Sequence, residues 1–282
     1  MLWELGLGKN SKAMSSILRL PALIGLVFLL FFPWSVFKDS SINLSNISLA
    51  PSLAHPFGTD HLGRDILVLL SDAVLSTVPV LWAVVSIAVV TGWCLGLLLT
   101  IIPQRLSRFS FLRRIDIPIS TVAGAPLFLM VFVFAISFKV MGLLPISISL
   151  FIMFLLSSVL QVRTLYAESS QLSYWKAYIS LGGTDKNRML LYGIGGIWKV
   201  PMIMHLCHSL GLAIVTEVSL SYLGFGIQEP RPSLGNILSA HFTDYLHGDF
   251  RVLTVTLIVM SSLVILPKLL AHQYFRFTSS KV

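Results

Sequence analysis

Charge is scarce in this chain of 282 residues: Lys, Arg, Asp and Glu together make up 11%, against 55% apolar residues. A soluble domain usually carries about 25% charged residues, so the composition excludes an ordinary water-solvated globule and makes the bilayer the natural solvent. Cysteine is nearly absent. Cys94 and Cys207 both fall inside apolar blocks, which excludes a disulfide framework and a cysteine-based metal site and leaves packing as their role. No Gly-rich phosphate loop ending in Lys-Ser or Lys-Thr occurs, so the chain is not expected to bind ATP by that mechanism. Neither a catalytic constellation nor a cofactor site is read in it.

What is present is a series of long uncharged blocks, each close to the roughly 20 apolar residues that a helix needs to cross hydrocarbon. Leu20–Phe37 is the first. It follows Lys9, Lys12 and Arg19 as a signal peptide would, but no small-residue cleavage site follows closely, so it is read as a retained anchor. The second block, Ala73–Gln104, exceeds one crossing, and its first turns are expected in the interface ahead of the helix proper. Ile117–Phe138 and Val140–Val162 follow, separated by Lys139, with Gly142 and Pro145 supplying a tight reversal. The fifth, Val200–Thr216, continues past Glu217 toward Phe225, and the sixth is Val252–Pro267, extended by snorkelling of Lys268. Six crossings make an all-α, polytopic membrane protein whose ends share one side.

The net charge of +8 then has a topological meaning. With the N-terminus in the cytosol, only Lys38, Arg64, Lys139, Arg231 and Arg251 lie outside, and the other fifteen of the 20 basic residues stay within. That bias is what positive residues show when their translocation is disfavoured. Both termini are therefore expected in the cytosol, and a nucleic-acid partner is not.

The longest cytosolic connection, SYWKAYISLGGTDKNRMLLYGIGG (173–196), is punctuated as two short helices. Ser173–Leu181 has no breaker, Gly182 and Gly183 can adopt the left-handed conformation that stops a helix, and Thr184 with Asp185 can cap a second one running to Tyr192. Such a helix pair beneath a membrane bundle can lie in a groove of a soluble partner.

This loop resembles that of the inner-membrane permeases of ABC importers, in which Glu-Ala-Ala is followed five residues later by Gly. Here Ala177 and Gly182 match, while Lys176 replaces the Glu, Tyr178 the second Ala, and Gly195 stands where a Pro is usual. Two further segments carry the resemblance more specifically. HPFGTDHLGRD, containing His55, Phe57, Gly58, Thr59, Asp60, Gly63, Arg64 and Asp65, follows the first block. EVSLSYLGFGIQEPRPSLGNIL, containing Glu217, Leu223, Gly224, Gly226 and Gly235, follows the fifth. Both are similar to segments of the dipeptide, oligopeptide and nickel importer permeases, in the expected order, and closest to the shorter of the two permeases that such systems pair. The family's Gly-Ala-Arg a few residues on is replaced by Asp72, Ala73 and Val74.

The residues also have local readings. Gly58 and Gly63 permit tight turns, and Asp60, Arg64 and Asp65 can satisfy one another and nearby backbone. His55, Asp60, His61 and Asp65 offer ligand atom types, but no helical or turn spacing among them matches a known ligand set, so no metal site is expected. Gly224, Gly226, Pro230, Pro232 and Gly235 describe an irregular stretch that protein or water must cover. Glu217 is an intramembrane carboxylate, a functional candidate by default; near the interface and hydrogen-bonded to Ser219 or Ser221, it is structural instead.

The resemblance implies a type I ABC importer transmembrane domain in the bacterial inner membrane. Residues 1–76 would form the anchor helix and an extracytosolic segment, and 77–275 the permease domain, with a coupling loop at about 166–196 formed around Lys176, Ala177, Tyr178, Gly182, Gly183, Thr184 and Asp185. Implied partners are a second, homologous permease, two ATPase subunits that bind ATP and Mg, and an external substrate-binding protein. The cargo would be peptides, nickel or metal chelates. A secondary transporter or a membrane scaffold without ATPase coupling is the competing reading, and it would call for intramembrane ionisable residues, of which only Glu217 qualifies.

Overall fold

The structure is a computed structural model and describes residues 42–105, 126–137, 142–183, 198–227 and 231–279. The expected first crossing at Leu20–Phe37, the start of the third, and the second short helix with Thr184 and Asp185 lie outside the described residues. Among the described residues every regular element is helical, apart from one isolated bridge between Thr59 and Asp65.

The helices are α1 (Ile66–Arg105), α2 (Leu127–Ser137), α3 (Leu143–Gln171), α4 (Ser173–Ser180), α5 (Lys199–Tyr222), α6 (Leu234–Ala240), α7 (Phe242–Leu246) and α8 (Arg251–Ser279). Four of them, α1, α3, α5 and α8, are long and apolar enough to cross a membrane, and α2 is a shorter apolar helix. Exposed Ile87, Val90 and Leu98 on α1 and Ile258 and Ile265 on α8 give these rods an apolar outer surface suited to hydrocarbon. Within them the hydroxyls of Ser71, Thr100, Ser149, Ser158, Ser209 and Thr256 each donate to the carbonyl four residues back, so these polar groups are satisfied without water.

Two boundaries differ from the sequence reading. α1 starts at Ile66, ahead of Ala73, and runs unbroken to Arg105. The reason is a cap: Asp65 Oδ1 accepts the backbone N–H of Leu67 at 3.0 Å, which satisfies a first-turn donor and fixes the start. α8 runs through Pro267 to Ser279 instead of stopping there; proline removes one donor, a loss that a membrane helix absorbs. The reversal between α2 and α3 falls where Gly142 adopts φ +135°, and Pro145 sits in the first turn of α3, where its missing N–H has no partner to lose.

The described residues group into two compact units, one from those up to Pro79 and those from Val218 onward, the other from Val80 to Glu217. In the second unit, Gly92 and Gly96 lay the α1 backbone on α3. A Cβ at Gly92 would stand 2.6 Å from the Leu155 carbonyl oxygen, and one at Gly96 would stand 3.0 Å from that of Val159. Small residues four apart allow this close approach when lipid supplies no hydrophobic drive for helix pairing. Polar links join α3 to α5: Ser158 Oγ lies 3.1 Å from His205 Nε2, and Gln161 Nε2 donates to the Pro201 carbonyl at 3.2 Å.

The same unit carries α4, joined to α3 through the single extended residue Leu172 (ψ 137°). Trp175 is buried and stacks on Tyr178 with ring centroids 5.1 Å apart, while Lys176 and Ala177 face outward. Gly182 takes φ +84° and lets the Gly183 N–H reach back to the Tyr178 carbonyl at 3.0 Å, closing the helix as a left-handed cap does. Gly183 itself has no positive φ.

Candidate functional site

The first unit gathers the motif-bearing segments into a knot at the N-terminal end of α1. Residues 42–65 fold back on themselves around Thr59, whose hydroxyl donates to the Asn46 carbonyl at 2.5 Å and accepts the Leu49 N–H at 2.8 Å. Gly63, at φ +73°, passes so close to the Asn43 backbone that a Cβ would overlap its carbonyl oxygen. A Cβ at Gly58, which sits at φ +80°, would likewise overlap the Leu49 carbonyl oxygen and stand 2.9 Å from Arg251 Nη1. Phe57 is exposed.

Asp60 is the centre of this knot. Its side chain is fully buried; Oδ1 accepts the backbone N–H groups of Leu62 (2.9 Å) and Arg64 (2.8 Å), and Oδ2 accepts Arg64 Nε at 2.8 Å. A buried carboxylate so surrounded is charge-compensated and fixed in one orientation. Asp65 caps α1, satisfying backbone as expected, and its Oδ2 also lies 2.9 Å from His55 Nδ1.

From Val218 onward the second motif lies in the same unit as the first. α5 ends where Gly224, at φ +84°, lets the Phe225 N–H reach the Leu220 carbonyl at 2.9 Å. Leu223 is exposed, and a Cβ at Gly226 would meet the Ser221 side chain. Gly235 packs α6 on the end of α5, with a built Cβ 2.6 Å from Ser221 Cβ and 2.8 Å from the Tyr222 nitrogen. Buried Ser233 caps α6 by accepting the Asn236 N–H at 3.2 Å, Asn236 Nδ2 donates to the Ile227 carbonyl at 2.6 Å, and Ser76 on α1 donates to the Pro232 carbonyl at 3.1 Å. Of the described part of this irregular stretch, Gly226, Ile227, Ser233, Leu234 and Gly235 are buried, while Leu223, Gly224 and Arg231 are exposed. Glu217 is buried in α5 near its end.

Four residues given no site role in the sequence reading, His241, Asp244, Asp249 and Arg251, complete the knot. His241 is buried, its Nδ1 2.7 Å from Asp244 Oδ2 and its Nε2 3.6 Å from Asp60 Oδ2. His61 Nδ1 approaches the same Asp244 oxygen at 3.0 Å. Burial pushes the Asp244 carboxyl up, but hydrogen bonds from His241 and His61 outweigh it and hold it below its usual range. Arg251 forks onto Asp249 through Nε (3.0 Å) and Nη2 (2.6 Å) and donates from Nη1 to the Leu49 carbonyl at 2.8 Å. The hydrogen bond from Arg251, opposed by burial, holds Asp249 low as well. These partners lie some 180 to 200 positions from the segments they hold, and no local spacing announces them.

Of the coupling-loop candidates, Lys176, Ala177, Tyr178, Gly182 and Gly183 lie on or just after α4, in the second unit. The knot residues from His55 to Asp65 lie in the first, with Leu223, Gly224, Gly226 and Gly235.

Among the described residues every regular element is helical, and four long apolar helices mark the chain as a multi-pass membrane protein. Comparison with known proteins then narrows the class. No family model matches the chain. It is 30% identical over 249 residues to the di/tripeptide transport system permease protein DppC of Pseudomonas aeruginosa, covering 83% of this chain and 79% of that protein. It is 28% identical over 245 residues to the oligopeptide transport system permease protein OppC of Lactococcus lactis, covering 83% and 78%. With the glutathione transport system permease protein GsiD of Pectobacterium atrosepticum it shares 25% identity over 224 residues, covering 79% and 71%. The chain belongs to the family of ABC peptide permeases.

Proposed function

We propose that this chain is the shorter permease subunit of a peptide importer in the bacterial inner membrane, with six crossings, the type I importer fold and both termini in the cytosol. In this reading it pairs with a second permease to form the path. Two ATPase subunits hold ATP and Mg, and an external binding protein delivers cargo. The names of the relatives favour peptides over nickel. The carrying observation is α4: a short helix fused to α3 through one residue, anchored by buried Trp175 and presenting Lys176 and Ala177 outward before the stop at Gly182.

A helix so anchored has one face held by its own chain and one face free for a soluble groove. Closure of the ATPases on nucleotide would then push α3 and alternate the access of the path. Ala177→Asp places an unpaired charge on the free face, and Gly182→Val strains the left-handed stop. Both are expected to abolish stimulated ATP hydrolysis and uptake in the reconstituted system while the protein still purifies folded. Survival of both activities in both variants would refute the docking role. Thiol labelling of a Lys176→Cys variant in intact cells tests the orientation, since reaction with an impermeant reagent would place α4 on the wrong side.

A further inference from the structure

The knot contains a cluster for which the transport reading has no use. Three ligand atoms, one each from His61, His241 and Asp244, lie within 4.8 Å of one another. The rings of His61 and His241 meet at 4.8 Å between centroids with planes 62° apart, and both aim Nδ1 at Asp244 Oδ2, at 3.0 and 2.7 Å.

The buried ring decides what belongs there. His241 is 1% exposed and stands between two carboxylates, Asp244 on its Nδ1 side and fully buried Asp60 on its Nε2 side at 3.6 Å. Its Nε2 makes no hydrogen bond. A neutral imidazole has one N–H and one bare lone pair. Whichever nitrogen carries the proton, one carboxylate therefore faces a lone pair, a repulsive arrangement at a ring that solvent barely reaches. A cation on the Nδ1 side removes the conflict: the Nδ1 lone pair and Asp244 Oδ2 both become ligands, and Nε2–H turns to Asp60. Metal-bound histidines commonly show this carboxylate behind the ring.

We propose that His61, His241 and Asp244 form a site for a zinc-class divalent cation, with Asp60 orienting the His241 ring from behind. Two imidazoles and one carboxylate suit zinc and its neighbours, whereas magnesium and calcium favour oxygen-rich shells. Tetrahedral bonds of about 2.0–2.2 Å set ligand atoms about 3.3 Å apart, so the present 2.7 and 3.0 Å separations to Asp244 open slightly while the two imidazoles, now within 4.8 Å, draw together. His61 and Asp244 have side chains 42% and 28% exposed, which supplies an entry path and room for a water as fourth ligand. His241 is held in place from both sides, its N–H on the Ile237 carbonyl and its carbonyl receiving the Tyr245 N–H. An ion here would clip the turn at 60–61 to the α6–α7 junction. The proposal is independent of cargo and of ATPase coupling.

The test is a titration of the full-length, tag-free chain in detergent, first treated with chelator, with zinc chloride followed by calorimetry. The expected result is one equivalent of zinc, with binding about tenfold or more weaker in His61→Ala and in Asp244→Asn. X-ray absorption of the loaded protein should show two imidazoles at the metal. His61 is exposed, so its alanine variant is expected to stay folded, which a native thermal transition verifies. Failure to take up stoichiometric zinc, or equal affinity in wild type and His61→Ala, overturns the proposal. So does a nitrogen NMR signature of a doubly protonated His241 that added zinc leaves unchanged, because the cation is then a proton.

Discussion

Replacing Asp60 with Asn is a nearly isosteric change that the knot should not tolerate. The amide oxygen can still accept the Leu62 and Arg64 backbone N–H groups, now made by Oδ1 at 2.9 and 2.8 Å. The amide nitrogen then faces Arg64 Nε, 2.8 Å from the present Oδ2, and sets donor against donor. Removing one partner of a buried ion pair costs about 3–5 kcal/mol. Because the Arg64 side chain keeps 17% exposure, the lower end applies, about 3 kcal/mol, which is a factor of about 100 in a local opening equilibrium. Hydrogen exchange followed by mass spectrometry on peptides covering 58–66 reads that opening directly. Exchange at Leu62 and Arg64 should quicken by about two powers of ten in Asp60→Asn, while Leu53→Ala, at a fully exposed position, should leave it unchanged. Adding Arg64→Met removes the stranded guanidinium and should recover part of the loss. If Asp60→Asn exchanges like the wild type, the ion pair does not hold the segment, and the reasoning from burial fails.

Three further outcomes follow from the same geometry. Gly92→Ala should cost about 1–3 kcal/mol in thermal unfolding in detergent, because its Cβ would stand 2.6 Å from the Leu155 carbonyl oxygen; Gly92→Leu should yield no folded protein, and a stable Leu variant would sink the close α1–α3 approach. Ser233→Ala removes the buried cap of α6 and should cost about 1 kcal/mol, measurable as faster exchange confined to Asn236 and its neighbours. Asp249 has a folded pKa below its ordinary 3.8, so its link to Arg251 contributes fully above that ordinary value and is lost as pH falls through the lower, folded one. The protection factor of the Leu49 N–H, its exchange corrected for the intrinsic pH dependence of amide exchange, should therefore be flat from about pH 5 upward and fall on acidification below it, and Asp249→Asn should abolish the acid-dependent step.

The membrane rods were legible because hydrocarbon imposes one crude requirement, a long apolar run, and α1, α3, α5 and α8 meet it in plain sequence. Their ends were less so. The beginning of α1 depends on Asp65 turning its carboxylate onto Leu67, and a carboxylate after a Gly-Arg step reads equally well as a loop residue. The passage of α8 through Pro267 shows the converse, a strong local signal overridden by surroundings that tolerate one missing donor. Within the knot, the turns at Gly58 and Gly63 and the Asp60–Arg64 pair were readable because the partners are four residues apart or fewer. That His55, ten residues back, would hold Asp65 was not foreseen. The local pairs His241–Asp244 and Asp249–Arg251 are only three and two residues apart, but their long-range links to Asp60, His61 and Leu49 could not be foreseen, since nothing in local spacing marks a partner some 180 to 200 positions away.

The joint at Leu172 has a mechanical corollary. With one residue between α4 and α3 there is almost no slack to absorb a displacement, so a push on the short rod is delivered to the long one as a tilt. α3, with 29 residues, is about 43 Å long at 1.5 Å per residue, and a swing of only about 5° moves its far tip roughly 4 Å by that same length. A stubby handle on a long lever turns a small stroke at the foot into a side-chain-sized shift at the head.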